Sequence, residues 1–159
     1  MSTKTIYSID TSALIDGLER YYPLALFPAL WVKVDELIDE GRLIISEEVW
    51  EECRKKDAAT KDWCDNRNKS SIVVNTDASV AIEVRSILQK FPKIVSAMKN
   101  RNRADPFVIA VAKVKGAVVI TGEGDDGSEK RPKIPFICHS MNIKCHRFID
   151  LVKLEGWTF

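Results

Sequence analysis

Residues 5–22 decide the fold of this chain, and their sequence is TIYSIDTSALIDGLERYY. The segment from Thr5 to Ile9 is rich in β-branched and apolar residues, which predicts a strand that ends on Asp10. The residues that follow have apolar side chains at helical spacing, and Thr11 or Ser12 is available to cap a helix there. This stretch therefore predicts a strand followed directly by a helix that continues to residue 22.

The same alternation of short apolar runs and longer helical stretches continues along the chain. Further strands are predicted at Leu43 to Ile45, Ile72 to Val74, Ala117 to Ile120 and Ile143 to Cys145. Further helices are predicted at Ala29 to Glu40, from Ser46 through Cys53, from Asp77 through Phe91, and at Phe107 to Val114, Ile134 to Met141 and Phe148 to Leu154. After the last helix, Trp157 and Phe159 are expected to pack on the body of the domain. Strands that alternate with helices indicate an α/β fold with a mostly parallel sheet.

Length and composition indicate one folded domain, residues 1–159. Hydrophobic residues make up 45% of the chain, enough to build a core, and argue against long disordered segments. Lys plus Arg number 24 and Asp plus Glu 23, and the net charge of +1 excludes a uniformly basic nucleic-acid binder. A polyanionic partner is therefore expected to bind a local basic patch or to be held through metal ions.

Cysteine usage and hydropathy bear on the environment of the chain. No apolar run approaches the roughly 20 residues that span a bilayer, which predicts a soluble protein with no membrane partner. No signal peptide precedes the first predicted strand, so we expect a cytoplasmic protein whose four cysteines are free thiols.

One group of cysteine and histidine residues is a candidate zinc-binding cluster. Cys138, His139, Cys145 and His146 lie close together in the sequence, but they lack the short Cys-x-x-Cys spacing of a zinc ribbon. We interpret these four side chains as core, half-buried or surface residues rather than as zinc ligands.

A second informative stretch is residues 104–110, ADPFVIA. Aspartate followed by proline is a strong helix start, and Asp105 has the spacing of an N-cap residue. The helix after it is apolar nearly all round, which predicts a central, buried position. Capping by Asp105 does not exclude a second role as a metal ligand.

Acidic residues follow the predicted strands at the points where ligands bind in open α/β sheets. Asp10 comes directly after the first strand, and Thr121 and Glu123 follow the strand that ends at Ile120. If these segments share one sheet with Asp105, several carboxylates converge on one edge, and their repulsion requires protonation, separation or a cation. Oxygen ligands of this kind favour Mg²⁺ or Mn²⁺. Each acid also has a simpler explanation: Asp10 could cap the first helix, and Glu123 could be an ordinary loop acid.

At this point the chain resembles a PIN domain. The resemblance is carried by residues 9–16, IDTSALID, and residues 104–110, followed by Thr121-Gly122-Glu123, Lys133-Ile134-Pro135 and Cys138. More narrowly, the chain is similar to the small prokaryotic branch related to VapC-type toxins, and within it to the DUF4411 group. The resemblance covers the chain from about residue 6 to its end, and it implies a three-layer α/β/α sandwich around a parallel sheet.

The resemblance also implies a set of site residues. Asp10, Asp105 and Glu123 match the first, third and last acids of the family, although most relatives have aspartate where this chain has Glu123. The second acid matches Glu52 best, while Glu48, one helical turn earlier on the same face, and Glu51 remain alternatives. Supporting roles in orienting a carboxylate or a water are expected for Ser12 and Thr121, although backbone capping is an equally simple role for them.

These matches imply a metal-dependent endoribonuclease that uses one or two Mg²⁺ or Mn²⁺ ions and leaves a 5′-phosphate and a 3′-hydroxyl. Related proteins also imply an antitoxin partner and a homodimer. Basic residues beside the proposed ligands are expected to guide the RNA backbone, namely Lys99, Arg101, Arg103, Lys130, Arg131 and Lys133. Exposed apolar residues such as Tyr22, Trp31 or Val32 could serve a partner, with core packing as the simpler role.

Other functions are compatible with parts of this pattern. A haloacid-dehalogenase-like phosphatase requires a second aspartate two residues after the first, where this chain has Ser12. A receiver-type phosphoacceptor requires an acidic pair and a late lysine that are not evident. The stronger alternative is a PIN-like module that binds nucleic acid or protein without catalysis, because Glu123 departs from the usual aspartate.

Overall fold

A parallel sheet of five strands organises the protein, and its strand order is β3-β2-β1-β4-β5. The structure is a computed structural model that describes residues 4–56, 59–94 and 104–159. The strands are β1 (Tyr7–Ile9), β2 (Leu43–Ser46), β3 (Val73–Val74), β4 (Val118–Ile120) and β5 (Cys145–His146). The predicted α/β fold with a parallel sheet, flanked by helices, is confirmed.

Helices connect the strands as the hydrophobic pattern predicts. They are α1 (Thr11–Ile15), α2 (Pro28–Asp39), α3 (Glu47–Lys55), α4 (Ala59–Asp65), α5 (Lys69–Ile72), α6 (Ala78–Lys90), α7 (Asp105–Lys115), α8 (Ile134–Ser140) and α9 (Phe148–Glu155). Within the described ranges, none of them is long and apolar enough to cross a lipid bilayer.

The centre of the sheet is the point where the strand order reverses. Tyr7 at the start of β1 pairs with Leu43 of β2 on one side and with Val118 of β4 on the other. The chain builds outward from β1 through β2 to β3, and then crosses to β4 on the opposite side. The carboxyl ends of β1 and β4 therefore border the crevice where α/β sheets bind their ligands.

The core covers this central region of the sheet. All residues of β1, β2 and β4 are buried, and so are Val108, Ile109, Ala110 and Val111 of α7. The predicted central position of α7 is thus confirmed. Because this helix packs against β1, β2 and β4, its first turn lies beside the ends of the central strands.

The predicted helix caps at the two acidic motifs are wrong. Asp10, and not Thr11 or Ser12, occupies the N-cap position of α1, yet its carboxylate makes no capping hydrogen bond. Asp105 lies inside the first turn of α7, where Ala104 is the N-cap residue and no side chain caps the helix. Neither carboxylate makes a capping hydrogen bond, so capping does not explain either of them.

Two other expectations are corrected, and one open alternative is decided. The first helix does not remain α-helical to residue 22, because Asp16–Tyr21 form a π-helix in which Gly17 lies tightly against the rings of Trp31 and Phe148. Trp31 is buried in the core, which is the simpler of the two roles considered for it, whereas Val32 is exposed. The terminal Phe159, which we expected to pack on the body, is also exposed.

Candidate metal centre at the carboxyl edge of the sheet

Asp10 is held at the junction of the two central strands. Its backbone N–H donates to the carbonyl of Ile120 at 2.8 Å, so the residue continues the pairing between β1 and β4. One carboxylate oxygen, Oδ2, accepts hydrogen bonds from Ser12 Oγ at 2.6 Å and from Thr121 Oγ1 at 2.9 Å. The side chain is thereby fixed by hydroxyl groups from both sides of the crevice while the residue is only 3% exposed.

Asp105 and Glu123 meet Asp10 at this position. Each of the three residues offers a carboxylate oxygen, and these atoms all lie within 4.8 Å of one another. Asp105 is 5% exposed, and Glu123 is half-buried. Residues separated by about a hundred positions in the sequence thus form one acidic cluster.

The longer side chain of Glu123 is positioned by the start of α8. Its Oε2 accepts a hydrogen bond from the backbone N–H of Ile134 at 2.8 Å, and its own N–H donates to Thr121 Oγ1 at 3.1 Å. The Lys-Ile-Pro segment begins this helix, with Lys133 as the N-cap residue. The extra methylene of glutamate therefore spans the distance between a helix start and the acidic cluster.

Gly122, between Thr121 and Glu123, lies close to the start of the first helix. A Cβ atom at this position would contact the Asp16 carboxylate and lie 3.2 Å from the carbonyl oxygen of Ser12, so a larger residue would displace the Asp16 side chain. The backbone N–H of Gly122 also donates to Ser12 Oγ at 2.9 Å, which links the loop after β4 to the start of α1. These contacts hold the loop that carries Glu123 against the first helix.

Glu52 of α3 lies beside the cluster rather than within it. Its Oε1 accepts a hydrogen bond from Thr11 Oγ1 at 2.6 Å, and its charge contributes to raising the pKa of Asp10 and of Asp105. Glu51 is exposed, while Glu48 is half-buried with a pKa raised mainly by burial and then by the charge of Glu47. Of the three glutamates considered for the second acid, only Glu52 acts electrostatically on both aspartates.

The cluster is strained electrostatically in the absence of a cation. Burial, followed by the charge of Glu123, raises the pKa of Asp10 to about 6, although the bonds from Ser12 and Thr121 oppose this shift. Burial and then the charges of Asp10 and Glu123 raise the pKa of Asp105 to about 10. The cluster therefore retains a proton at neutral pH, on Asp105, that an ordinary aspartate has lost.

An open cleft of about 850 Å³ gives access to the cluster. Acidic and hydroxyl side chains line most of it, and its described lining also includes three lysines: Lys55, Lys56 and Lys69. Sequence reasoning missed these lysines. Lys55 and Lys56 closely follow Glu52 in the sequence, which was the available signal for these two residues. The position of Lys69 beside the cleft depends on the tertiary fold.

The basic residues predicted to guide RNA have other positions. Lys130 and Arg131 are exposed, and the ammonium group of Lys133 is bound by Asp126 at 2.8 and 3.0 Å. None of these three lines the cleft. The other predicted group, Lys99, Arg101 and Arg103, lies outside the described residues.

The cysteine and histidine group does not form a metal site in the described part of the chain. Cys138 is buried and Cys145 is half-buried as free thiols, and His139 is exposed. The acidic cluster is the set of three or more potential ligands that the described residues bring together.

Comparison with solved structures shows which fold this is. VapBC2 from Rickettsia felis, bound to a DNA fragment from its promoter, aligns with a TM-score of 0.55 at 11% identity over 91% of this chain and 99% of that chain. DNA-bound VapBC from Salmonella typhimurium gives 0.52 at 16% identity, over 91% and 98% of the two chains. FitAcB from Neisseria gonorrhoeae gives 0.51 at 14% identity, over 89% and 96%.

Sequence comparison gives a family and no characterised relative. No curated protein matches the chain at a significant level. The family model DUF4411, described as a domain of unknown function, matches residues 7–159. The chain therefore belongs to the DUF4411 family, and its fold is that of a VapC-like PIN domain.

Proposed function

We propose that this protein is a metal-dependent endoribonuclease and that it is the toxin component of a toxin–antitoxin pair. The observation that carries the proposal is the convergence of Asp10, Asp105 and Glu123 at the switch point of the sheet. Within the described residues, no lysine, arginine or histidine forms an ion pair with these three acids. Negative charge is therefore concentrated at this position, and no cation of the described ranges is in direct contact with it.

The donor set fits a hard divalent cation. All the candidate ligand atoms are carboxylate oxygens, which Mg²⁺ and Mn²⁺ prefer over softer ligands. A cation at this position also removes the repulsion that raises the pKa of both aspartates. We assign Asp10, Asp105 and Glu123 as ligands, with Glu52 as a fourth acid that binds directly or through water.

The surrounding residues orient the ligands. Ser12 and Thr121 hold one oxygen of Asp10, the Ile134 N–H holds one oxygen of Glu123, and Thr11 holds one oxygen of Glu52. In each carboxylate the second oxygen is the one that we assign to the cation. Such secondary hydrogen bonds fix the ligand geometry before the metal binds.

A bound divalent cation lowers the pKa of a coordinated water and neutralises charge that develops on the phosphate during hydrolysis. This chemistry needs no histidine base, consistent with the positions of His139 and His146 outside the cleft. The family resemblance suggests products with a 5′-phosphate and a 3′-hydroxyl.

The structural neighbours support the choice of partner. The complexes similar to this chain include VapBC2 and VapBC bound to DNA. By analogy we propose that an antitoxin protein binds this chain and covers the acidic cleft, and that the chain forms a homodimer. The non-catalytic alternative is less well supported, because Glu123 reaches the acidic cluster despite its departure from aspartate.

The test is cleavage of single-stranded RNA by the purified protein with Mn²⁺ and with a chelator. We expect Mn²⁺-dependent cleavage that Asp10→Asn lowers by about 10³-fold, equivalent to about 4 kcal/mol of lost charge stabilisation. Asp39→Asn, the same change at an exposed acid that ends α2, serves as the control and retains full activity. RNA binding without cleavage by the native protein under any Mn²⁺ concentration would instead identify the non-catalytic module.

A further inference from the structure

The lining of the acidic cleft includes three lysines that come from two different parts of the chain. Lys55 is the last residue of α3, the helix that also bears Glu52, Lys56 is the C-cap residue of that helix, and Lys69 begins α5. All three are exposed, and they line the same cleft as Asp10 and Asp105. Positive charge is therefore placed beside the acidic cluster and not within it.

The pairing of these lysines distinguishes them from neighbouring cations. In this part of the molecule Arg54 and Lys61 both pair with Asp65, and Arg67 pairs with Asp35. By contrast, Lys55, Lys56 and Lys69 form no ion pair with any carboxylate of the residues that the structure describes, although Glu47, Glu48 and Glu51 line the same cleft. Among the described cations close to α3 and α5, those outside the cleft are thus paired, whereas the three that line it are available to an anion.

The lining of the cleft indicates which part of a nucleic acid these lysines contact. No aromatic side chain is present among the described lining residues, so bases have no ring on which to stack. Ammonium groups instead bind phosphates without regard to sequence. Asp10 and Asp105 are only 3% and 5% exposed, so a phosphate must enter the cleft to reach them, and a flexible single strand does this at a lower deformation cost than a stiff duplex.

We propose that Lys55, Lys56 and Lys69 form a phosphate-binding wall that holds the backbone of a single-stranded nucleic acid on one side of the acidic cluster. This inference rests on the proposed nuclease function and adds the form of the substrate and the direction of its approach. The wall contacts phosphates that flank the cleaved bond. It therefore provides affinity that is independent of base sequence and sensitive to salt.

The test measures binding separately from cleavage. All variants carry Asp10→Asn, and the affinity for a labelled single-stranded RNA of 12 nucleotides is measured by fluorescence anisotropy over a range of KCl concentrations. Replacing Lys55, Lys56 and Lys69 together with alanine is expected to raise Kd about tenfold or more at low salt. The slope of log K against log salt is expected to become shallower by about 2, because each phosphate contact contributes about 0.7 on a single strand.

A matched control removes the same net charge elsewhere. Lys4, Lys33 and Lys61 pair with Glu40, Glu36 and Asp65, and none of them lines the cleft. Their combined replacement with alanine is expected to leave Kd within about twofold. Equal weakening of RNA binding by both triple variants would contradict the proposed phosphate-binding wall, because it would show an effect of net charge alone.

Measurements with other nucleic acids distinguish a failure of this inference from a failure of the proposed function. A duplex RNA of the same sequence is expected to bind more weakly than the single strand and to lose little affinity on lysine replacement; equal losses would contradict the single-strand assignment. Single-stranded DNA is expected to lose affinity to the same extent as RNA, because the wall contacts phosphate only. If Mn²⁺-dependent cleavage persists while the lysine variant binds like the control, the nuclease stands and the wall is wrong.

Discussion

The two ends of β1 carry buried ionisable groups, and the chain satisfies them in opposite ways. At the amino end, the Tyr7 hydroxyl and the Arg42 guanidinium both donate to Glu155 Oε2 at 2.5 Å. At the carboxyl end, three carboxylates converge and no described cation pairs with them. The first arrangement is complete without a ligand, whereas the second needs protons or an external cation. The amino end of β1 therefore carries a structural ion pair, whereas the carboxyl end carries a candidate cation site.

The largest expected effect is on the pH dependence of stability that the acidic cluster at the carboxyl end of β1 causes. The folded protein holds the Asp10 proton more tightly than the unfolded chain, because the pKa of this carboxyl is about 6 in the fold against the ordinary aspartate value of 3.8. Unfolding therefore releases a proton between these values, and Asp10 lowers the stability of the metal-free protein as pH rises from about 4 to about 6. Relative to native, the Asp10→Asn variant should gain about 3 kcal/mol over this window.

This gain is measured as the difference in free energy of unfolding between variant and native protein, in urea with a chelator present. A constant difference between pH 4 and pH 6.5 would show that Asp10 is not strained by its neighbours. Asp39→Asn, at an exposed position, provides the baseline for a change in one charge.

Removing a carboxylate at the amino end of β1 should lower the stability, whereas removing Asp10 at the carboxyl end should raise it. Glu155→Gln removes the more buried of the two carboxylate partners of the Arg42 guanidinium, whose side chain is only 13% exposed. We expect a loss of about 2 kcal/mol in stability at neutral pH, measured by urea unfolding. Glu40→Gln removes a more exposed partner of the same arginine and should cost much less. A stabilising effect of Glu155→Gln would remove the contrast between the two ends.

A smaller effect, on the affinity for Mn²⁺, is expected from the hydroxyl groups that surround the acidic cluster. Thr121→Val removes the donor to Asp10 and the acceptor for the Glu123 N–H, while it keeps the shape of the side chain. We expect the Kd for Mn²⁺, measured by isothermal titration calorimetry, to rise about tenfold. Thr121→Ser retains the hydroxyl and should restore the affinity. Equal affinity in Thr121→Val and native protein would reduce Thr121 to a packing role.

Much of the fold was predictable because its signals are local. Apolar runs and helical periodicity locate the strands, and the Asp-Pro dipeptide locates the start of α7. The prediction failed where tertiary contacts override local preference. Asp105 has the sequence context of a cap, but it lies within the helix and its carboxylate joins the acidic cluster instead.

The candidate site was predictable in part for the same reason. That Asp10 and Glu123 follow neighbouring strands can be inferred from an α/β pattern, although their proximity depends on the strand order. The contact of Glu123 with the Ile134 N–H and the approach of Lys69 to the cleft depend on how separate helices pack. No local signal in the sequence carries that information.

The central claim is that the three carboxylates at the end of β1 and β4 form a binding site for a divalent cation. Crystals grown with Mn²⁺ and measured at its absorption edge test this claim directly through the anomalous signal of the ion. The account predicts a peak bounded by Asp10, Asp105 and Glu123 that disappears in Asp10→Asn. Crystals that contain Mn²⁺ at millimolar concentration and show no peak beside these carboxylates would contradict it.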